Sequence, residues 1–65
     1  MELDCDRAIS SIKLFLTNKE YILQEIDIAA ITYNIIYLVQ NEEYSVREYA
    51  EHAIGEILSR LKNQH

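Results

Sequence analysis

The chain contains no proline and no tryptophan, and only one glycine and one cysteine. Without proline, and with Gly55 alone, it lacks the turn punctuation of an all-β domain. A lone Cys5 cannot close an internal disulfide, and with only His52 and His65 beside it no zinc-site spacing can be written. Cations are scarce as well: six Lys and Arg stand against eleven Asp and Glu, for a net charge of −5. Direct binding to nucleic acid needs a positive footprint, which six scattered cations do not supply. Long apolar runs are missing too. The longest, Ile28 to Val39, is interrupted by Thr32 and Asn34 and falls short of the roughly 20 residues of a membrane span. Acids crowd the opening Met-Glu-Leu-Asp-Cys-Asp where a signal peptide carries positive charge, so a reducing, cytoplasmic setting is expected.

What remains is apolar and helical. At 49% hydrophobic residues the composition is too apolar for a disordered tail. A chain of 65 residues hides only about 60% of its unfolded surface on folding. Small domains therefore add disulfides, a metal or a partner to their core. With the first two lacking a sequence basis, burial against a partner is the staple that remains.

The apolar spacing predicts one helical domain over residues 1–65, with helices at about 4–16, 19–40 and 46–62. In the first, Cys5, Ala8, Ile9, Ile12, Phe15 and Leu16 recur at intervals of three and four. Leu3 and Leu14 fall on its opposite side. Thr17 and Glu20 have the spacing of a capping box that would open the second helix. That helix is apolar around most of its circumference: Ile22, Ile26, Ala29, Tyr33 and Ile36 line one face, and Ile28, Ile31, Ile35 and Leu38 a neighbouring one. Two shorter companions cannot cover both faces, so a homodimer packed through helix two is expected. Its candidate self-association residues are Ile28, Ile31, Tyr33, Ile35, Tyr37 and Leu38. Ser45 and Glu48 form a second capping box. It opens a run in which Val46, Tyr49, Ala50, Ala53, Ile54, Ile57, Leu58 and Leu61 keep helical register. Glu43/Arg47, Arg47/Glu51 and Glu56/Arg60 are spaced for i,i+4 ion pairs.

The stretch Asn41 to Leu58, NEEYSVREYAEHAIGEIL, resembles the second half of a HEAT repeat. Val46, Arg47, Ala50, Ala53, Ile54, Gly55 and Ile57 match its V-R-x-x-A-x-x-A-[LI]-G-x-[LI] pattern. Asn41 stands where that family often pairs an Asp with the Arg across the turn. The resemblance implies helical-hairpin packing and a protein-binding scaffold, here a single unit rather than an array.

Other motifs yield to plainer readings. Glu48, Glu51, His52 and Glu56 read as a solvated charged face rather than a metal site, since no second His is near. Cys5, flanked by Asp4 and Asp6, reads as a small core residue, with an intersubunit disulfide or redox role the alternative. Gly55 reads as tolerated on a polar face, or as a point of close helix approach. No phosphate loop, nucleophile triad or acid pair is present, so the chain is not expected to be an enzyme or to carry a cofactor.

The expected function is that of a small acidic protein–protein interaction module, a regulatory adaptor or inhibitor. Its partner-binding residues, Glu42, Glu43, Tyr44, Glu48, Glu51 and Glu56, would meet a protein with a basic surface. The first alternative is an immunity or anti-defence protein that mimics nucleic acid to block a nuclease or DNA-binding protein. The second is a structural subunit of a helical assembly, with Leu3 and Leu14 in a second interface. The Ile- and Asn-rich, proline-free composition suits an AT-rich bacterial or phage genome.

Overall fold

Asp4 starts the first helix. Its side chain accepts the Arg7 backbone N–H at 2.8 Å, an N-cap that satisfies one of the orphan donors of the first turn. The computed structural model describes residues 4–64, and in them the chain forms three helices: α1 Cys5–Thr17, α2 Glu25–Val39 and α3 Tyr44–Gln64. Together they make an all-α bundle, a slab of 35 × 25 × 17 Å. α2 packs against both neighbours, while α1 and α3 touch each other far less.

The core is built from one stripe of each helix. Ala8 and Ile12 come from α1, Ile31, Ile35 and Leu38 from α2, and Ala50, Ala53 and Ile57 from α3, with Leu23 of the first loop turned in among them. Three of these nine are alanines, so the helices approach closely and bury little side-chain volume. Cys5, Ile9, Phe15, Leu16, Ile28, Val46, Tyr49 and Leu61 rim the core, half-buried. Asn34, in the middle of the apolar helix, is buried, and its amide donates to Ser11 Oγ at 3.2 Å, which ties α2 to α1.

The first loop departs from the sequence reading. Thr17 is the last residue of α1 rather than the cap of a second helix, and α2 begins at Glu25, not Lys19. The acid that opens α2 is Asp27, whose carboxylate accepts the Gln24 N–H at 2.9 Å. Residues 18–24 stay non-helical because other groups take their backbone. Arg60 of α3 donates to Phe15 O at 2.9 Å, to Tyr21 O at 2.8 Å and to Asn18 O. The Leu23 N–H is held by Gln64 Oε1 at 2.7 Å, while its side chain enters the core. One guanidinium thus satisfies a carbonyl at the end of α1 and two carbonyls of the loop.

The second loop is built on the same plan. Asn41 Oδ1 accepts the Glu43 N–H at 2.8 Å, and its amide lies 2.8 Å from Cys5 Sγ. Arg47 donates to the carbonyls of Asn41 and Glu42 at 2.7 and 2.8 Å. α3 starts at Tyr44, so Ser45 lies inside its first turn instead of capping it, and the helix runs on to Gln64. The two arginines read as ion-pair partners for Glu43, Glu51 and Glu56 are hydrogen-bonded to backbone carbonyls instead. Among the described residues the ion pair formed is Arg7–Asp4, at 3.9 Å on the surface. A guanidinium with five donors satisfies several backbone carbonyls at once, which outweighs a solvated i,i+4 pair worth a few tenths of a kcal/mol.

Two substitutions test this account. Arg60→Met keeps the apolar stem but removes every donor, and should lower unfolding free energy by about 2 kcal/mol in urea denaturation. Arg60→Lys, a point charge without the fork, should restore little of it. Gly55 is exposed on α3, and a Cβ built there meets nothing within 4 Å. Among the described residues no other element approaches it, so Gly55→Ala should raise stability by about 1 kcal/mol.

Candidate functional site

Two faces of α2 were read as apolar, and the fold covers one of them. Ile31, Ile35 and Leu38 are buried in the core and Ile28 is half-buried beside them. These four hold the chain itself together, so they are not free to line a seam with another molecule. Of the six proposed self-association residues, only Tyr33 and Tyr37 remain exposed, at 65% and 37%. Exposed near them are Ile26, Ile36 and, in the preceding loop, Ile22, at 78%, 51% and 61%. A residue i is on the same helix face as i+3, i+4 and i+7, and Ile26, Ala29, Ala30, Tyr33, Ile36 and Tyr37 satisfy that relation throughout. All six are exposed. No charged side chain lies between Ile28 and Val39. The result is an uninterrupted apolar face on the outside of the helix.

The signal for choosing between the faces was in the sequence. Asp27, Ile31, Asn34 and Leu38 share the inner side, so the polar residues of α2 mark the buried face rather than the solvated one. Both are satisfied there: Asn34 by Ser11, and Asp27 by the Tyr21 hydroxyl at 2.6 Å and the Gln24 N–H. The two acidic ends of the outer face are also defined. Glu25 opens the helix at one end, and Glu42 and Glu43 follow it at the other, all exposed. Arg47, close to that pair, is engaged with backbone carbonyls.

The six expected partner-binding residues are all exposed but do not form one patch. Glu42, Glu43 and Tyr44 sit at the α2–α3 turn, where Arg47 lies over the Tyr44 ring at 5.8 Å, with Glu48 one turn on. Glu51 and Glu56 border a shallow depression farther along α3 with His52, Gly55 and Ser59. Glu56 also lines a cleft that α3 shares with Lys13, Leu16 and Thr17 of α1. Tyr49 borders that cleft, and burial together with the Glu56 charge raises the pKa of its phenol. Among the described residues no group of three or more His, Cys, Asp and Glu is placed to hold a metal ion. Among these residues no helix is long and apolar enough to cross a membrane.

Ile54 and Leu58, which keep register in the apolar run of α3, are 40% and 61% exposed. They lie one turn apart on the side of α3 opposite the cleft shared with α1. Leu14 of α1 is 76% exposed, and its proposed companion Leu3 lies outside the described residues. A cleft of about 660 Å³, open to solvent, lies between the first loop and the end of α3; Tyr21, Ile22 and Arg60 line it. No protein-family model matches the chain, and no curated protein or solved structure matches it.

The Tyr21–Asp27 bond sets a pH signature for the start of α2. The Tyr21 hydroxyl and the Gln24 N–H hold the Asp27 carboxyl below its usual 3.8, and the same bond raises Tyr21 above its usual 10.0. The lowered acid stabilises the fold above pH 3.8, a contribution lost as pH falls below it. The raised phenol stabilises it below pH 10, a contribution lost as pH rises further. The Tm difference between wild type and Tyr21→Phe should therefore be widest at intermediate pH and close at both extremes. A difference independent of pH would rule out this bond as its source.

Proposed function

We propose that the protein is a protein–protein interaction module, an acidic adaptor or inhibitor that dimerises through α2 and presents its carboxylates to a basic partner. The observation that carries this reading is the outer face of α2. Ile26, Tyr33, Ile36 and Tyr37 stand exposed on a helix with no charged side chain from Ile28 to Val39. A contiguous apolar patch of that kind marks a binding surface in a soluble protein. Tyrosine suits it further, because a large apolar ring carries a polar tip that tolerates both the free and the bound state.

The dimer and the partner use different surfaces. Apolar burial on α2 supplies stability. Glu42, Glu43, Tyr44 and Glu48, gathered at the α2–α3 turn, supply electrostatic attraction and on-rate. Their exposure makes them available and also limits their worth, since surface charges are screened over about 10 Å at 0.1 M salt. A −5 chain that pairs with itself doubles its charge, which strengthens steering toward a cationic protein. Localisation in the cytoplasm belongs to the same proposal, as the compartment in which a free thiol persists.

Sedimentation velocity tests the dimer: wild type should be a dimer at micromolar concentration, and Ile26→Asp should be a monomer with unchanged helical circular dichroism. A protein captured by the wild type from an extract of the source organism should be released as salt rises to about 0.5 M. The Glu42→Gln, Glu43→Gln, Glu48→Gln triple variant should fail to retain it. Capture indifferent to salt and to these substitutions would overturn the acidic-face half of the reading.

A further inference from the structure

The outer face of α2 has a shape as well as a chemistry. We propose that a second copy of this chain lies antiparallel across it, with Tyr33 of each copy seated on Ala29 and Ala30 of the other. The proposal rests on the dimer reading above and adds its geometry.

Read along the face, the side chains run large, small, small, large, large, large: Ile26, Ala29, Ala30, Tyr33, Ile36, Tyr37. Ala29 and Ala30 leave an exposed shallow between Ile26 and Tyr33. When a copy is laid antiparallel and centred between residues 31 and 32, position 33 of one meets 29 and 30 of the other. Position 26 meets 36 and 37. Each Tyr33 therefore fills an alanine shallow, each Ile26 enters the gap between Ile36 and Tyr37, and two-fold symmetry makes every contact twice. A parallel pair fails this test. It sets Tyr33 against Tyr33 and alanine against alanine, crowding one level and leaving a void at the next, and voids forfeit contact energy.

Charge agrees with shape. Glu25 opens the helix that bears the face, and Glu42 and Glu43 follow its end, all exposed. A parallel pair stacks four turn carboxylates at one end. An antiparallel pair divides them, two to each end, which lessens their repulsion. It also opposes the two helix dipoles, where a parallel pair aligns them. These contributions are small in energy, and both favour the antiparallel orientation.

The area is of the right order. Ile22, Ile26, Tyr33, Ile36 and Tyr37 together leave roughly 500 Å² exposed, at the upper end of the largest patches on monomers. That is more than half of the 800 Å² or so that each partner gives a standard interface. The alanines allow the helix axes to close to about 8 Å, which brings flanking residues such as Thr32 and Gln40 into the rim.

Engineered thiols in a Cys5→Ser background test the geometry. Ile26→Cys and Tyr37→Cys, each oxidised alone, should give little covalent dimer, whereas an equimolar mixture of the two should give several-fold more. Covalent dimer from Ile26→Cys alone, as much as from the mixture, would overturn the antiparallel arrangement while leaving the dimer in place. A wild-type chain that sediments as a monomer throughout the micromolar range would overturn both.

Discussion

One helix has more apolar surface than this chain can cover. α2 carries no charged side chain from Ile28 to Val39, and its two neighbours reach only the side that bears Ile31, Ile35 and Leu38. The other properties of the structure follow from that imbalance. The core is narrow and partly built of alanine, because α1 and α3 must both close on the same side of α2. The slab is thin, and an apolar face stays outside. In a larger domain a fourth helix would take that face; here the proposed occupant is another molecule.

Polar groups do as much as apolar ones to fix which side is inside. Asp27 and Asn34 are found on the buried face of α2, each with a partner in the chain. A buried polar group is tolerated only where its partner is, so these two lock the rotation of the helix about its axis. Rotation by half a turn would bury the outer isoleucines just as well by area, but would leave Asn34 and Ser11 apart. The register of α2 is thus set by hydrogen bonds and its stability by aliphatic contact.

The sequence made three helices legible because their apolar spacing is strong. It misled where local signals competed with distant ones. Thr17 and Glu20 have capping-box spacing, yet the chain around them is fixed from some forty residues away, where Arg60 holds the carbonyls of Phe15, Asn18 and Tyr21 and Gln64 holds the Leu23 N–H. Arg47 and Arg60 have acidic neighbours one turn off, yet carbonyls win them. Both faces of α2 were identified, but the choice between them was not, because Asn34 was read as an interruption of the stripe rather than as a marker of the inside. Ile54 and Leu58 kept helical register and still faced outward, since register locates a stripe but not its width. No local pattern indicates which carbonyls a distant guanidinium will find.

Arg60 also orders events in time. Its acceptors lie 45, 42 and 39 residues earlier in the chain. During synthesis the first loop emerges well before the side chain that fixes it. The α2–α3 hairpin, held by contacts close in sequence and by Arg47 across its own turn, can form without it. α1 and α2 can pair earlier, through Ser11 and Asn34, but the loop between them acquires Arg60 and Gln64 only when the final turns of α3 arrive. Until α3 is in place the inner side of α2 lacks half of its cover, and a nascent chain at this stage offers isoleucines on both faces to whatever lies nearby.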